Sequence, residues 1–148
     1  MTVILRPHHL LDILRDYGYG IRYMPNEYGH ALHIVADKVL NDLDTDIELV
    51  TAVDDICRPC RHLLEDGLCD DTMTVGKETV SKQAYNDALD GRLWPYLDLD
   101  KNNRMTVREF FQLVHHRLDG IENICTHPGE EEIYRKRGLS EGLRKLGL

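Results

Sequence analysis

The sequence predicts a mainly α domain with a minor short strand element, an α+β chain forming one small globular unit over residues 1–148. Three observations predict it. Apolar residues recur at helical spacing along most of the chain, the one strongly β-forming run is short, and no linker, repeat or low-complexity segment divides the 148 residues.

Arg6-Pro7-His8-His9-Leu10-Leu11 opens the first helix, with Pro7 suited to a first turn that needs no N–H partner, and Gly18 and Gly20 end it. Ala31, Leu32, Val35, Val39 and Leu40 mark a second helix from Pro25 to about Leu43, with Gly29 unfavourable near its start. Ile47 to Val53 is the best strand. Asp54 to Thr72 holds three cysteines with Pro59 and Gly67 and reads as a loop with a helical turn or two; Val75 begins a short extended piece. Lys77 to Leu89 is an amphipathic helix stopped by Asp90-Gly91, Leu93 to Leu97 a short apolar stretch, and Asp98 to Met105 a polar loop. Thr106 with Glu109 forms a capping box for a helix ending at Leu118 and Asp119-Gly120, whose Val107, Phe110, Phe111, Val114 and Leu118 share a face. Three short helical segments close the chain, Ile121–Cys125, Glu130–Arg137 and Ser140–Leu146, split by Pro128-Gly129 and Gly138.

Composition excludes several classes. A formal charge of -8 is wrong for a general nucleic-acid binder, which needs clustered cations; Arg135, Lys136, Arg137, Arg144 and Lys145 alternate with glutamates and read as a solvated helix face. No apolar run approaches the ~20 residues of a membrane span. Met1 to Arg6 lacks a signal-peptide core, so a cytoplasmic location is expected. There, Cys-x-x-Cys is more often metal-binding or redox-active than a structural disulfide.

Chemistry concentrates on Cys57-x2-Cys60-x8-Cys69. The two-residue gap lets two thiolates converge from one turn, and Gly67 permits a bend before the third. Soft sulfur ligands favour zinc, copper(I) or an iron–sulfur cluster. Zinc would add Cys125 or a histidine such as His62; a four-iron cluster takes four thiolates, or three and another group. Ordinary buried cysteines or a redox dithiol are the competing explanations.

Eight histidines are present. His8 and His9 sit at a helix start, where adjacent residues point in different directions, so at most one should face a given site. His30 and His33 with Asp37 share a helix face, and His115 and His116 suit the partial negative charge of a helix end. Asp98, Asp100, Asn102, Arg104, Thr106 and Glu109 match the ligand positions of a calcium-binding EF-hand loop, with Met105 at its apolar position but Asn103 where glycine is usual. A polar interhelical connection uses the same residues.

Three stretches together resemble one family: Arg6-Pro7-His8-His9-Leu10-Leu11, Asp54-Asp55-Ile56-Cys57 through Gly67-Leu68-Cys69, and Ile124-Cys125 with Gly138-Leu139. They are similar to small prokaryotic proteins that begin Arg-Pro-His-His-Leu-Leu-Cys, a family of unknown function suspected of iron–sulfur binding. The likeness covers nearly the whole chain. Asp12 stands where that family has a cysteine, and Cys125 alone remains of its second cysteine group. The resemblance implies one cluster on Cys57, Cys60 and Cys69, with Cys125, Asp12, His9 or an exogenous group fourth. Two functions follow. In one, a cluster performs redox or small-molecule chemistry, Arg6 and His8 meet the substrate, and a pocket joins residues 6–12 to 57–69. In the other, zinc stabilises a non-catalytic module that binds a protein partner, with a closed site and no pocket.

Overall fold

A computed structural model describes all 148 residues. Five helices, 43% of the chain, and a few short strands make the domain mainly α. The elements are β1 (Val3–Leu5), α1 (Pro7–Gly18), α2 (Leu32–Asn41), β2 (Asp46–Leu49), β3 (Thr72–Val75), β4 (Glu78–Ser81), α3 (Lys82–Tyr96), β5 (Arg104–Thr106), α4 (Val107–His116) and α5 (Glu132–Lys145), with a single 3-10 turn at Ile121–Asn123. β2 lies between β1, parallel to it, and β5, antiparallel to it; β3 and β4 form a separate hairpin.

Burial decides the central elements. Leu10, Leu11, Ile13 and Leu14 of α1, Ile47 and Leu49 of β2, and Val107, Phe110, Phe111 and Val114 of α4 belong to one core. The Thr106–Glu109 capping box forms as expected: Thr106 Oγ1 accepts from Glu109 N at 3.2 Å, and Glu109 Oε2 accepts from Thr106 N at 2.7 Å.

Several boundaries differ from the sequence pattern. The second helix is shorter than Pro25–Leu43, because Asn26 and Gly29 take turn conformations before Leu32. The strand over Ile47–Val53 stops at Leu49, where pairing with its neighbours ends. Residues 78–81 pair in the hairpin, and α3 begins at Lys82, capped by Ser81 Oγ accepting from Ala84 N at 3.2 Å. That helix does not stop at Asp90-Gly91 but runs through them to Tyr96, since Asp90 is wholly buried and bonded to α1. Glycine in a helix interior costs ~1 kcal/mol, less than those contacts return.

Gly138 does not split the last segments either; it lies inside α5, where α5 crosses α1 at close range. A Cβ on Gly18 would stand 2.0 Å from the Gly138 carbonyl oxygen, and one on Gly138 would stand 2.9 Å from the Arg15 carbonyl oxygen. The glycines therefore set the helix separation that brings Arg135 onto α1.

Candidate metal centre

The first turn of α1 is built around two aspartates. Asp54 is 0% exposed and accepts from Arg6 N (2.9 Å), His9 Nδ1 (2.6 Å), Ile56 N (3.1 Å) and Cys57 N (3.1 Å). One carboxylate thus ties the start of α1 to the first cysteine. Asp90, from α3, is equally buried and accepts from Arg6 Nη1 (2.9 Å), His8 N (3.0 Å) and His8 Nδ1 (2.9 Å). Arg6 also reaches Asp87 at 3.0 Å, so its guanidinium is committed to carboxylates.

Electrostatics follow from that geometry. Burial opposes ionisation of Asp54, but His9 and the backbone donors hold it below the usual carboxylate range. Asp90 is held low against the same penalty by His8 and Arg6. Burial, then His9, lowers His8, against the opposing pull of Asp90, whose oxygens its Nδ1 meets at 2.9 Å. For His9, burial is outweighed by Asp54 and the pKa rises. Burial and the Asp54 charge push the Cys57 thiol up to about 12.

The cysteine segment is a succession of turns. Cys60 N donates to Cys57 O at 2.9 Å and Leu63 N to Cys60 O at 3.1 Å; Gly67, with φ +82°, turns the chain back so that Leu63 bridges Cys69. Gln83 Oε1 of α3 holds Cys69 N at 2.8 Å. Ala31 N to Ile56 O (2.9 Å) and Arg61 N to Tyr28 O (2.8 Å) fasten the segment to the turn before α2.

These elements enclose a cavity of about 250 Å³. Cys57, Cys60 and Cys69 line it, as do His8, His9 and Asp12 of α1, so it joins residues 6–12 to 57–69 as expected for the small-molecule reading. His30, His62 and His127 bring the imidazoles on its wall to five. His8 and His9 both face it, with ring centroids 4.3 Å apart, against the expectation that one would turn away. Their Nδ1 atoms bond to different carboxylates, His8 to Asp90 and His9 to Asp54, which fixes both rings. Ligand atoms of His9, Asp54 and Cys57 lie within 4.8 Å of one another; the three sulfurs do not close to that separation.

Cys125 is not among the residues that line this cavity. It is 1% exposed, and its thiol is pushed up to about 12 by burial. Arg135 Nη1 contacts its Sγ at 3.3 Å and Asp12 Oδ1 at 2.6 Å, standing between the thiol and α1. Arg135 is itself 3% exposed rather than part of a solvated helix face, because the close α1–α5 crossing buries it against Asp12. On His62, Nδ1 binds Asp70 Oδ1 at 2.8 Å, and Nε2 is buried without a hydrogen-bond partner.

The EF-hand-like oxygens have other partners. Asp98 Oδ2 accepts from Arg117 (2.9 Å), Asp100 Oδ1 from Trp94 Nε1 (2.9 Å) and Asn102 Oδ1 from Arg104 N (3.1 Å); Arg104 binds Glu48, and Thr106 and Glu109 serve the capping box. The polar loop is interrupted by β5, whose Met105 pairs with Ile47. His33 and Asp37 do not converge with His30 on a common point, and His115 and His116 are exposed in the last turn of α4.

Sequence reasoning passed over Asp90 as a helix stop and Arg135 as a surface cation, and it quoted Asp54 without a role. Asp54 had a local signal, an Asx residue two and three positions before the donors it caps. Asp90 and Arg135 had none, since their partners lie 82 to 84 and 123 positions away.

A family model described as a protein of unknown function (DUF1284) matches residues 23–128, a span that leaves out the first turn of α1. No curated protein and no solved structure matches the chain.

Proposed function

The chain belongs to the DUF1284 family, whose function is unknown, and from that premise we propose that it carries a thiolate-bound metal centre, an iron–sulfur cluster on Cys57, Cys60 and Cys69, serving chemistry on a small molecule admitted to the adjoining cavity. The observation that carries this reading is the presence of three sulfurs and five imidazoles on one wall, next to open space. Thiolates are the ligands such clusters take. The three sulfurs do not all lie within 4.8 Å of one another, wider than the about 3.8 Å between sulfurs on one tetrahedral zinc, so a single ion would require the turns to close further.

With Cys125 behind Arg135, the fourth position falls to a group on the cavity wall, Asp12 or His9, or to the small molecule itself. When bound, a cluster would supply electron transfer or an open iron. The chain's own contribution is to hold the sulfurs through Asp54 and Gln83 and to present His8 beside them.

One observation favours a second reading, a zinc-stabilised binding module. His62, anchored on Asp70 with a free Nε2, would complete a three-cysteine, one-histidine zinc set. Anaerobic purification followed by iron, sulfide and zinc analysis separates the two. About four irons and four sulfides per chain, with visible absorption lost in Cys60→Ser, support the cluster. One zinc and no colour support the module. Protein that takes up neither on reconstitution, with its thiols free, overturns both.

A further inference from the structure

We propose that the Nε2 atoms of His8 and His9 form a second cation site on the cavity wall, a nitrogen-donor site for a borderline divalent metal such as Zn²⁺, Fe²⁺ or Co²⁺, separate from the sulfurs. It uses nitrogen donors and does not require the thiolate centre, and it takes His9 out of the candidates for the cluster's fourth ligand.

Tautomer assignment comes first. An ionised carboxylate only accepts hydrogen bonds, so each ring facing one must place its proton on the facing nitrogen. His8 Nδ1 meets both oxygens of Asp90 at 2.9 Å, and His9 Nδ1 meets Asp54 at 2.6 Å. Both Nδ1 atoms are therefore taken up by hydrogen bonds to carboxylates, which leaves Nε2 of each ring as the atom that can meet a cation, on His9 in competition with the proton that Asp54 favours. The rings are 4.3 Å apart and both line the cavity. A metal-binding imidazole characteristically donates its other N–H to a carboxylate, which fixes the ring and raises its basicity. Here that arrangement occurs twice in consecutive residues, with both supporting carboxylates fully buried.

Charge balance behind the rings points the same way. Arg6 is shared between Asp87 and Asp90, and Arg135 between Asp12 and Glu130. Asp54 has backbone donors and His9 but no guanidinium or ammonium partner. Arg15 also meets Asp12, Asp16 and Glu130, so three guanidiniums serve five carboxylates and Asp54 has none, leaving a negative excess behind two imidazoles. A divalent cation offsets that excess, and ligands already fixed lower the cost of organising the site around it. Imidazole donors suit zinc, iron and cobalt and disfavour magnesium and calcium.

Long-range 15N NMR of the imidazoles tests the proposal on metal-free wild-type protein, with the cysteine 13Cβ signals read in the same titration. Metal-free protein should show a proton on Nδ1 of both rings, with His9 taking up a second proton on Nε2 at higher pH than His8. Added Zn²⁺ should shift both Nε2 signals with an equivalence point distinct from that of the cysteines. His9→Gln should abolish the shift at His8, and Asp90→Asn should weaken zinc at this pair about 10–100-fold while leaving the cysteine response intact. Imidazole shifts without cysteine shifts support the site and count against the thiolate reading. Cysteine shifts with both Nε2 signals unmoved overturn the site and leave that reading standing. A single equivalence point shared by His9 and the cysteines overturns it in favour of one mixed centre, and an Nε2-protonated His9 that zinc does not displace overturns it outright.

Discussion

Replacing Asp54 with alanine should cost this protein at least about 4 kcal/mol of stability. The carboxylate is wholly buried and satisfies three backbone N–H groups, of Arg6, Ile56 and Cys57, as well as His9 Nδ1. Alanine offers none of them an acceptor. Stranding a buried donor costs about 1–3 kcal/mol, so three backbone groups at the lower end and one charge-assisted bond give about 4–5 kcal/mol. A domain's whole stability is about 5–15 kcal/mol. With a urea slope near 2 kcal/mol per molar, the unfolding midpoint of the reduced, metal-free protein should fall by about 2 M. Asp54→Asn keeps one acceptor oxygen and should lose roughly half as much, since its amide then faces two donors. Asp70→Ala, at an exposed carboxylate, serves as the control and should move the midpoint by less than about 0.3 M. A shift under about 0.5 M for Asp54→Ala would show that water or relaxation satisfies those donors and that Asp54 is not what joins α1 to the cysteine segment.

Gly138→Ala should destabilise by about 1–3 kcal/mol, because its Cβ meets Arg15 and Tyr19 at 2.6 Å in the α1–α5 crossing; a thermal midpoint within 1 °C of wild type on calorimetry would contradict this. Stability should fall in acid. Asp54, Asp90 and Asp12 all have folded pKa values below their ordinary 3.8, so the stabilisation they contribute is complete above that value and is lost as pH falls through it toward the folded pKa. Urea midpoints measured from pH 7 to pH 3 should therefore decline most steeply at the acid end, and a flat profile would sink the argument. In metal-free protein at pH 8, iodoacetamide should leave Cys57 and Cys125 largely unmodified, since burial pushes both thiols up to about 12 and only the thiolate reacts. Peptide mass spectrometry showing Cys57 labelled as fast as Cys60 would contradict the Asp54–Cys57 contact.

The sequence by itself determined the mainly α class, the first helix, the capped helix after Thr106 and the cysteine loop, because each rests on a local rule: proline at a first turn, a capping box, apolar spacing, or a short ligand gap. The grouping of the first helix turn with the three cysteines was legible only through a resemblance, since nothing in spacing links His9 to Cys57. Tertiary structure alone decided the rest. It carried α3 through Asp90-Gly91, against local helix preference, because a buried carboxylate there binds Arg6 and His8. It joined the last two segments into α5, because Gly138 is needed for close helix approach rather than for a break. It moved Arg135 from solvent to the core, where it contacts the buried Cys125 thiol. Local pattern reads propensity over a few turns, whereas these outcomes depend on pairing energies between groups 48 to 123 positions apart, which exist only once the chain has closed on itself.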